Sequence, residues 1–186
     1  MKPIALALVM IILTLPAFAQ TPATPAASPI PAANPSDVKS IDSILTALYA
    51  VISGPAGDRD YNRLRSLFAK DARLTSVTKE ASDHPARLLT VDEYINLAGG
   101  YFKTHAFYEQ AIVNKVDRFG NMAQVFSSYE SRNAPNEKPF TRGINSIQLF
   151  YDQNRWWVLS ILWDEESPTN PLPANLATRS TAPVTQ

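Results

Sequence analysis

The chain has 186 residues, 45% hydrophobic and 18% charged, a length and composition expected for one globular domain with tails. Its 17 basic and 17 acidic residues cancel, which argues against a nucleic-acid or anionic-membrane partner, since both require an excess of positive charge. The absence of cysteine excludes disulfides, thiolate catalysis and cysteine-ligated metal sites.

The first 19 residues have the pattern of a secretory signal peptide. Lys2 precedes an apolar run over residues 4–15, and Ala17 and Ala19 supply the small residues that signal peptidase requires. The run is shorter than the roughly 20 apolar residues that span a bilayer, which disfavours the alternative of a membrane anchor. We therefore expect cleavage after Ala19, export to the periplasm or medium, and no membrane contact afterwards.

Segments rich in proline, alanine, serine and threonine flank the centre of the chain. Residues 20–36 and residues 167–186 have no apolar face to bury, and such compositions are typical of disordered segments. The folded domain is therefore predicted to span residues 37–166. A domain of this size buries about two thirds of its unfolded surface and can fold without disulfides.

Three helices are predicted in the first half of this domain. Apolar residues at helical spacing predict the first from residue 37, with Ser36 as its N-cap, to Gly54-Pro55. The second is predicted from residue 58 or 60 to residue 69. A short strand over residues 71–77 and a polar loop over residues 78–87 follow.

The third helix has a specific start signal. Thr90 and Glu93 have the spacing of a capping box, in which each side chain bonds the backbone amide of the other residue. This pattern predicts a helix from Thr90 through Tyr101.

From residue 107 onward apolar residues recur at every second position, which is the spacing of a β-strand. Four strands are predicted in two hairpins, with turns at residues 117–121 and 152–154 and positive φ at Gly120 and Asn121. Because consecutive strands usually pair, an antiparallel meander is the simplest topology. Helices followed by a sheet define an α+β fold class.

The last strand contains all three tryptophans of the chain and is apolar on both faces. Strict alternation places Trp157 and Ile161 on one face and Trp156 and Val158 on the other. Neither face suits exposure to water, so both are expected to be covered.

Four segments together resemble the nuclear transport factor 2-like (NTF2-like) superfamily, in particular its exported SnoaL-like bacterial members. They are "LRSLFAKDARL" (64–74), "TVDEYI" (90–95), "AQVFSSYESR" (123–132) and "GINSIQLFYDQNRWWVLSILW" (143–163). The resemblance implies a cone-shaped, curved antiparallel sheet with three N-terminal helices packed on its concave face around a pocket. Superfamily members include ketosteroid isomerases, scytalone-type dehydratases, polyketide cyclases and proteins that only bind, so this fold does not determine function.

The resemblance also implies a homodimer, since the convex face of the sheet is often a dimer interface in this superfamily. A last strand that is apolar on both faces agrees with such an interface. The alternative is that the proline-rich tails fold back over the convex face.

Polar residues on otherwise apolar elements mark a candidate ligand-binding site. Tyr129, Gln148 and Ser160 interrupt the strands, and a buried polar group is unfavourable unless it is hydrogen-bonded or faces a wet pocket. Tyr94 on the third helix adds an aromatic wall, and His105 is expected at the rim.

Catalytic residues are harder to assign. The candidate carboxylates are Glu109, Asp117, Glu130 and Asp164, but no base, acid and oxyanion donor can be assembled from them by sequence. His105 could act as a general base, whereas His84 falls in the polar loop. Two distant histidines without carboxylates at ligand spacing predict no metal site, and no cofactor is expected.

Three functions remain compatible with the sequence, which favours the first because no set of catalytic groups can be assembled. The first is an exported module that binds a small apolar ligand or a partner protein without catalysis. The second is an isomerase or dehydratase of the SnoaL or ketosteroid-isomerase type, acting on a small cyclic or polyketide-like substrate. The third is a structural dimer of the cell envelope. A carboxylate pointing into the cone would favour the second.

Overall fold

The computed structural model describes residues 29–77, 86–152 and 154–178. The predicted signal peptide, residues 20–28 of the predicted linker and His84 lie outside the described residues. Within the described ranges the helices are α1 (Pro35–Val38), α2 (Ile41–Ile52), α3 (Tyr61–Leu67), α4 (Val91–Thr104) and α5 (Ala174–Ala177), and the strands are β1 (Phe68–Ser76), β2 (Arg87–Leu89), β3 (Tyr108–Phe119), β4 (Met122–Arg132), β5 (Thr141–Tyr151) and β6 (Trp156–Glu165).

The first predicted helix is divided in two. Asn34, not Ser36, caps the short α1, because the Asn34 side chain accepts the Ser36 amide at 3.0 Å. Ser40 then breaks the helix with extended backbone and caps α2 by accepting the Ser43 amide at 3.1 Å. The prediction of one helix capped by Ser36 is therefore wrong, since a second serine supplies a better-placed cap.

The predicted capping box of the third helix is confirmed. The Glu93 carboxylate accepts the Thr90 amide at 2.7 Å, and the Thr90 hydroxyl accepts the Glu93 amide at 3.2 Å. The helix, α4, continues to Thr104, three residues beyond the predicted end. Its buried side chains, Ile95 and Phe102, face the core.

The strands form one six-stranded sheet in the order β2-β1-β6-β5-β4-β3. The predicted antiparallel meander of the last four strands is confirmed. The sheet as a whole is mixed, however, because β1 runs parallel to β6. The parallel pair differs from the antiparallel sheet that the resemblance implies. The first three strands of the meander lie between β1 and β6 in the chain, so no short connection fixes the direction of β1.

The β3–β4 turn needs only one residue of positive φ. Gly120 has a φ of 56°, whereas Asn121 does not share this conformation. The short strand β2 lies at the end of the predicted polar loop and pairs with β1 through Leu89 and Leu74.

The helices cover one face of the sheet, called the inner face below. Ile44 and Leu45 of α2 pack there with Val125, Ile147 and Val158 of the three central meander strands, and all five are at most 1% exposed. The α+β class is confirmed. Among the described residues, no helix is long and apolar enough to cross a membrane.

A β-bulge at Leu159 interrupts the alternation of the last strand. Gln148 pairs with Ser160 and Leu149 with Val158, so β6 has one extra residue between these pairs. Val158 is fully buried in the core, and after the bulge Ile161 lies against the inner face. The expected separation of Val158 and Ile161 onto opposite faces is therefore wrong, because the bulge reverses the phase of the strand.

The opposite side of the sheet, called the outer face below, is partly covered by the chain's own C-terminal segment. Helix α5 packs against β3 and β4, with Leu176 only 5% exposed. The Arg142 guanidinium donates to the Ala177 carbonyl at 2.6 Å. This differs from the disorder expected after residue 166. Phe126 and Leu162 border a groove together with Leu172 of this segment, and they remain 43% exposed.

Candidate functional site

A cavity of about 250 Å³ lies between the inner face and the helices. Aromatic and aliphatic side chains form most of its wall. Its polar groups come from the four meander strands and two helices, and they include Glu109, Tyr49, Tyr94, Tyr129 and Asn145. A mostly apolar cavity with a few convergent polar groups is the usual form of a small-molecule site.

The end of α2 positions Glu109 at the start of β3. The Ser53 hydroxyl accepts the Glu109 amide at 2.9 Å and shares its proton between the Tyr49 carbonyl at 2.7 Å and the Glu109 carbonyl at 3.1 Å. Gly54 and Phe107 exchange both backbone hydrogen bonds, at 2.7 and 3.0 Å. Helix α2 therefore fixes the backbone from which the carboxyl enters the cavity.

The Glu109 carboxyl has polar partners but no cationic one among the described residues. The Ser131 hydroxyl donates to it at 2.8 Å, and the Asn145 amide also bonds it. Burial raises the pKa of Glu109 to about 7, the hydrogen bonds from Ser131 and Asn145 oppose this shift, and the charge of Glu165 adds to it. Near neutral pH this carboxyl can therefore both accept and release a proton.

A buried hydrogen-bond chain holds Tyr49 beside this carboxyl. The Ser127 hydroxyl donates to the Asn114 side chain at 2.6 Å, so the Tyr49 hydroxyl, 2.5 Å from Ser127, must donate to it. The Asn145 amide donates to Tyr49 at 3.2 Å. Burial raises the pKa of Tyr49 to about 12, so it stays protonated. Its donor capacity is used within the protein.

Tyr94 and Tyr129 also line the cavity, and their hydroxyls are free to act as donors. Neither hydroxyl has a hydrogen-bond partner within residues 29–77, 86–152 and 154–178. Burial, with the charge of Glu109 next in importance, raises the pKa of both tyrosines. Both are therefore neutral donors available to a ligand.

Aromatic residues surround the part of the cavity between α4 and the β4–β5 connection. Phe107 lies 6.4 Å from Tyr101 and 6.2 Å from Phe140, measured between ring centroids. His105 stacks on Tyr101 at 4.4 Å, and its Nδ1 lies 2.8 Å from the Thr104 hydroxyl. His105 thus supports a lining residue, and its ring is outside the lining itself.

The five predicted ligand-binding residues are divided between two faces of the sheet. Tyr94 and Tyr129 line the cavity, and His105 lies beside it. Gln148 and Ser160 pair with each other but belong to the outer face, where Gln148 bonds Gln124. Their placement in the pocket is wrong, because Gln148 alternates with the inward Ile147 and Ser160 follows the bulge.

Of the candidate carboxylates, only Glu109 belongs to the cavity. Glu130 forms an ion pair with Arg132 at 2.7 Å, and Asp117 lies 3.9 Å from Lys115 near the hairpin turn. Asp164 contacts Asn170 at 3.2 Å. Within the described residues, no group of three or more histidines and carboxylates could hold a metal ion.

Sequence reasoning missed Tyr49, Ser131 and the rim residue Glu165. Tyr49 interrupts the apolar pattern of α2, a signal that could have been used. Ser131 and Glu109 share an inward position only because a bulge between Ala111 and Val113 sets the β3–β4 register. No sequence pattern marks this bulge.

Comparison with protein-family models gives no match, and comparison with curated protein sequences gives none either. Solved structures do match. A protein of unknown function with a cystatin-like fold from Nostoc punctiforme has a TM-score of 0.54 at 14% identity, covering 72% of this chain and 92% of its own.

Two NTF2-like proteins of unknown function match in the same way. The one from Pseudomonas putida has a TM-score of 0.51 at 12% identity, covering 78% of this chain and 93% of its own. The one from Silicibacter pomeroyi has a TM-score of 0.50 at 11% identity, covering 69% and 94%. The chain therefore has the NTF2-like fold, as its sequence predicts. Identities this low establish the fold alone.

Proposed function

We propose that the protein binds a small, largely apolar molecule in the inner cavity and catalyses a proton transfer within it. The observation that carries this proposal is the Glu109 carboxyl, which lies in the cavity with its pKa raised to about 7, mainly by burial. A general base is most effective when its pKa lies near the working pH.

The hydrogen bonding of each lining residue indicates its role. Glu109 removes a proton from a carbon next to a carbonyl or similar group of the ligand. The free hydroxyls of Tyr94 and Tyr129 donate to the oxygen on which negative charge develops. Returning the proton from Glu109 to another carbon gives an isomer, so the reaction needs no co-reactant.

Binding without turnover is the alternative that the sequence favoured. A protein that only binds an apolar molecule has no need of a carboxyl in its cavity, since burying an ionisable group disfavours its charged form. Two hydrogen bonds hold Glu109 in place, which is the support expected of a reacting group. A hydrogen-bonded carboxyl inside the cavity therefore favours the isomerase type over the binding module.

Export and dimerisation complete the proposal. The signal-peptide pattern supports export to the periplasm or medium. The partly exposed Phe126 and Leu162, beside the C-terminal segment, support a homodimer through the outer face.

Hydrogen–deuterium exchange tests the proton transfer. The protein is incubated in deuterated buffer with a panel of small cyclic and unsaturated ketones, and deuterium uptake into each ketone is measured by mass spectrometry. We expect catalysed exchange with at least one ketone and at least a hundredfold loss in Glu109→Gln, as is typical on removal of a general base.

The matched control is Asp117→Asn on the same strand, which lies outside the cavity and should exchange at the wild-type rate. Exchange that persists in Glu109→Gln, or no exchange with any ketone in the panel, would overturn the proposal.

A further inference from the structure

The ionisable groups that face the cavity carry only one sign of charge. Glu109 and Glu165 line it, and no lysine, arginine or histidine does so within the described residues. The nearby cations are engaged elsewhere: Arg59 lies over the Phe102 ring at 5.1 Å, and Arg142 lies 3.4 Å from the Glu166 carboxylate. A ligand therefore meets a negative interior without an internal counter-charge.

Glu165 and its neighbour Glu166 differ in whether the carboxylate has an ion-pair partner. Glu166 pairs with Arg142 and accepts the Leu172 amide at 3.1 Å. The Glu165 carboxylate has no ion-pair partner in the described part of the chain, and it lines the cavity from an exposed position at the end of β6. It is a free carboxylate at the rim.

Aromatic rings that line the same cavity meet at steep angles. Tyr94 and Trp163 meet at 81° with ring centroids 6.4 Å apart, and Tyr101 and Phe107 meet at 84°. Rings set in this way form corners rather than stacks. Aromatic corners with a nearby carboxylate are the arrangement that recognises organic cations, because ring faces carry partial negative charge.

We propose that the ligand of this cavity is an organic cation, an apolar molecule bearing an ammonium group that pairs with Glu165 at the rim against the aromatic wall. The inference rests on the proposed function, since it places this ligand in the same cavity. Glu109, which lies against Ser131 and Asn145, remains available as the base. The neutral part of the ligand occupies the apolar space between α2 and β6.

Three probes of similar shape but different charge test whether the ligand is an organic cation. They are benzyltrimethylammonium, its uncharged carbon isostere neopentylbenzene, and the anion phenylmethanesulfonate. Dissociation constants are measured by equilibrium dialysis on the folded protein at pH 8. We expect the cation to bind at least about tenfold more tightly than the neutral isostere, from its attraction to Glu165 and the rings, and the anion to bind more weakly than either.

Glu165→Gln and Glu166→Gln form a matched pair of variants. Glu165→Gln should weaken binding of the cation about fivefold to tenfold and leave the neutral isostere unchanged, because only the charge attraction is lost. Glu166→Gln should leave both unchanged. A cation that binds no more tightly than the isostere, or that is unaffected by Glu165→Gln, overturns the inference.

The outcomes separate this inference from the proposed function. If the neutral isostere binds best while Glu109-dependent exchange of ketones persists, the cation class is wrong and proton transfer stands. If the cation binds as expected but Glu109→Gln leaves exchange unchanged, proton transfer is wrong and the cation class stands. If no probe binds and no ketone exchanges, both are wrong.

Discussion

Glu109 and Ser131 lie directly opposite each other on β3 and β4, and the Ser131 hydroxyl donates a 2.8 Å hydrogen bond to the Glu109 carboxylate. This bond favours the charged form of Glu109 and opposes the effect of burial on its pKa. The serine therefore lowers the pH at which the carboxyl becomes a base, against the larger effect of burial.

Replacing this serine should move the titration of Glu109. In Ser131→Ala we expect the pKa of Glu109 to rise further, because a hydrogen bond to the charged form is lost. Carbon-detected NMR titration of the carboxyl and the pH profile of ketone exchange should shift together. Ser128→Ala removes an equally buried serine that contacts Val113 instead, and should leave both unchanged. A profile that does not move would contradict this role.

The raised pKa of Glu109 also predicts how stability depends on pH. Its contribution is fully present below pH 4.5, the usual pKa, and is lost as the pH rises through about 7, because ionisation is less favourable in the folded state. Glu109→Gln cannot ionise, so relative to wild type it should gain up to about 3 kcal/mol between pH 4 and pH 8. Urea unfolding at both pH values measures this difference. A difference independent of pH would contradict the prediction.

Tyr49 and Tyr129 should respond differently to loss of their hydroxyls. Tyr49→Phe removes the buried hydrogen bonds that the Tyr49 hydroxyl makes with Ser127 and Asn145, and should lower the free energy of unfolding by about 1–3 kcal/mol. Tyr129→Phe removes a hydroxyl that the protein itself does not use, so it should weaken ligand binding while changing stability by less than about 0.5 kcal/mol. Thermal unfolding with and without ligand measures both effects. Gln148→Leu on the outer face is the control and should leave binding unchanged.

The outer face provides a test of assembly. If the mature chain is a homodimer through Phe126 and Leu162, then Phe126→Glu or Leu162→Glu should yield a monomer, because a buried unpaired charge is strongly unfavourable in an interface. Light scattering coupled to size exclusion measures the mass. Leu88→Glu on the edge strand β2 is the control, since Leu88 is 65% exposed and should not affect assembly. A monomeric wild type at micromolar concentration would remove the basis of the prediction.

Export is tested on the chain's own N-terminus. Sequencing protein recovered from the periplasm or medium should give Gln20 as its first residue, because the small residues Ala17 and Ala19 match the signal-peptidase pattern. Changing Ala19 to a bulky residue should block cleavage. Mature protein that still begins with Met1 in a membrane fraction would contradict the expectation.

Local signals accounted for the parts of the fold that sequence could predict. The capping box of Thr90 and Glu93 identified the start of α4 because both bonds form within four residues. The meander could be predicted because short connections join strands in which apolar residues alternate with polar ones. The parallel pairing of β1 with β6 is a long-range contact, and no local pattern specifies its direction.

The site was harder to predict because it also depends on long-range contacts. Tyr129 was recognised as a polar group on an apolar strand, and Tyr94 as an aromatic wall on the third helix. Gln148 and Ser160 carry the same signal, yet they lie on the outer face. Distinguishing the two groups requires knowing the register of each strand, and registers here depend on bulges that arise from packing.

The bulge at Leu159 also affects how this strand can be compared with those of relatives. The extra residue places Val158 and Ile161 on the same side of the sheet. Even-numbered side chains point inward before the bulge, and odd-numbered side chains point inward after it. A relative without that residue would have to be aligned with a gap at position 159. An ungapped alignment would assign the equivalents of Trp163 and Glu165 to the wrong side of the sheet and hide the acidic, aromatic rim.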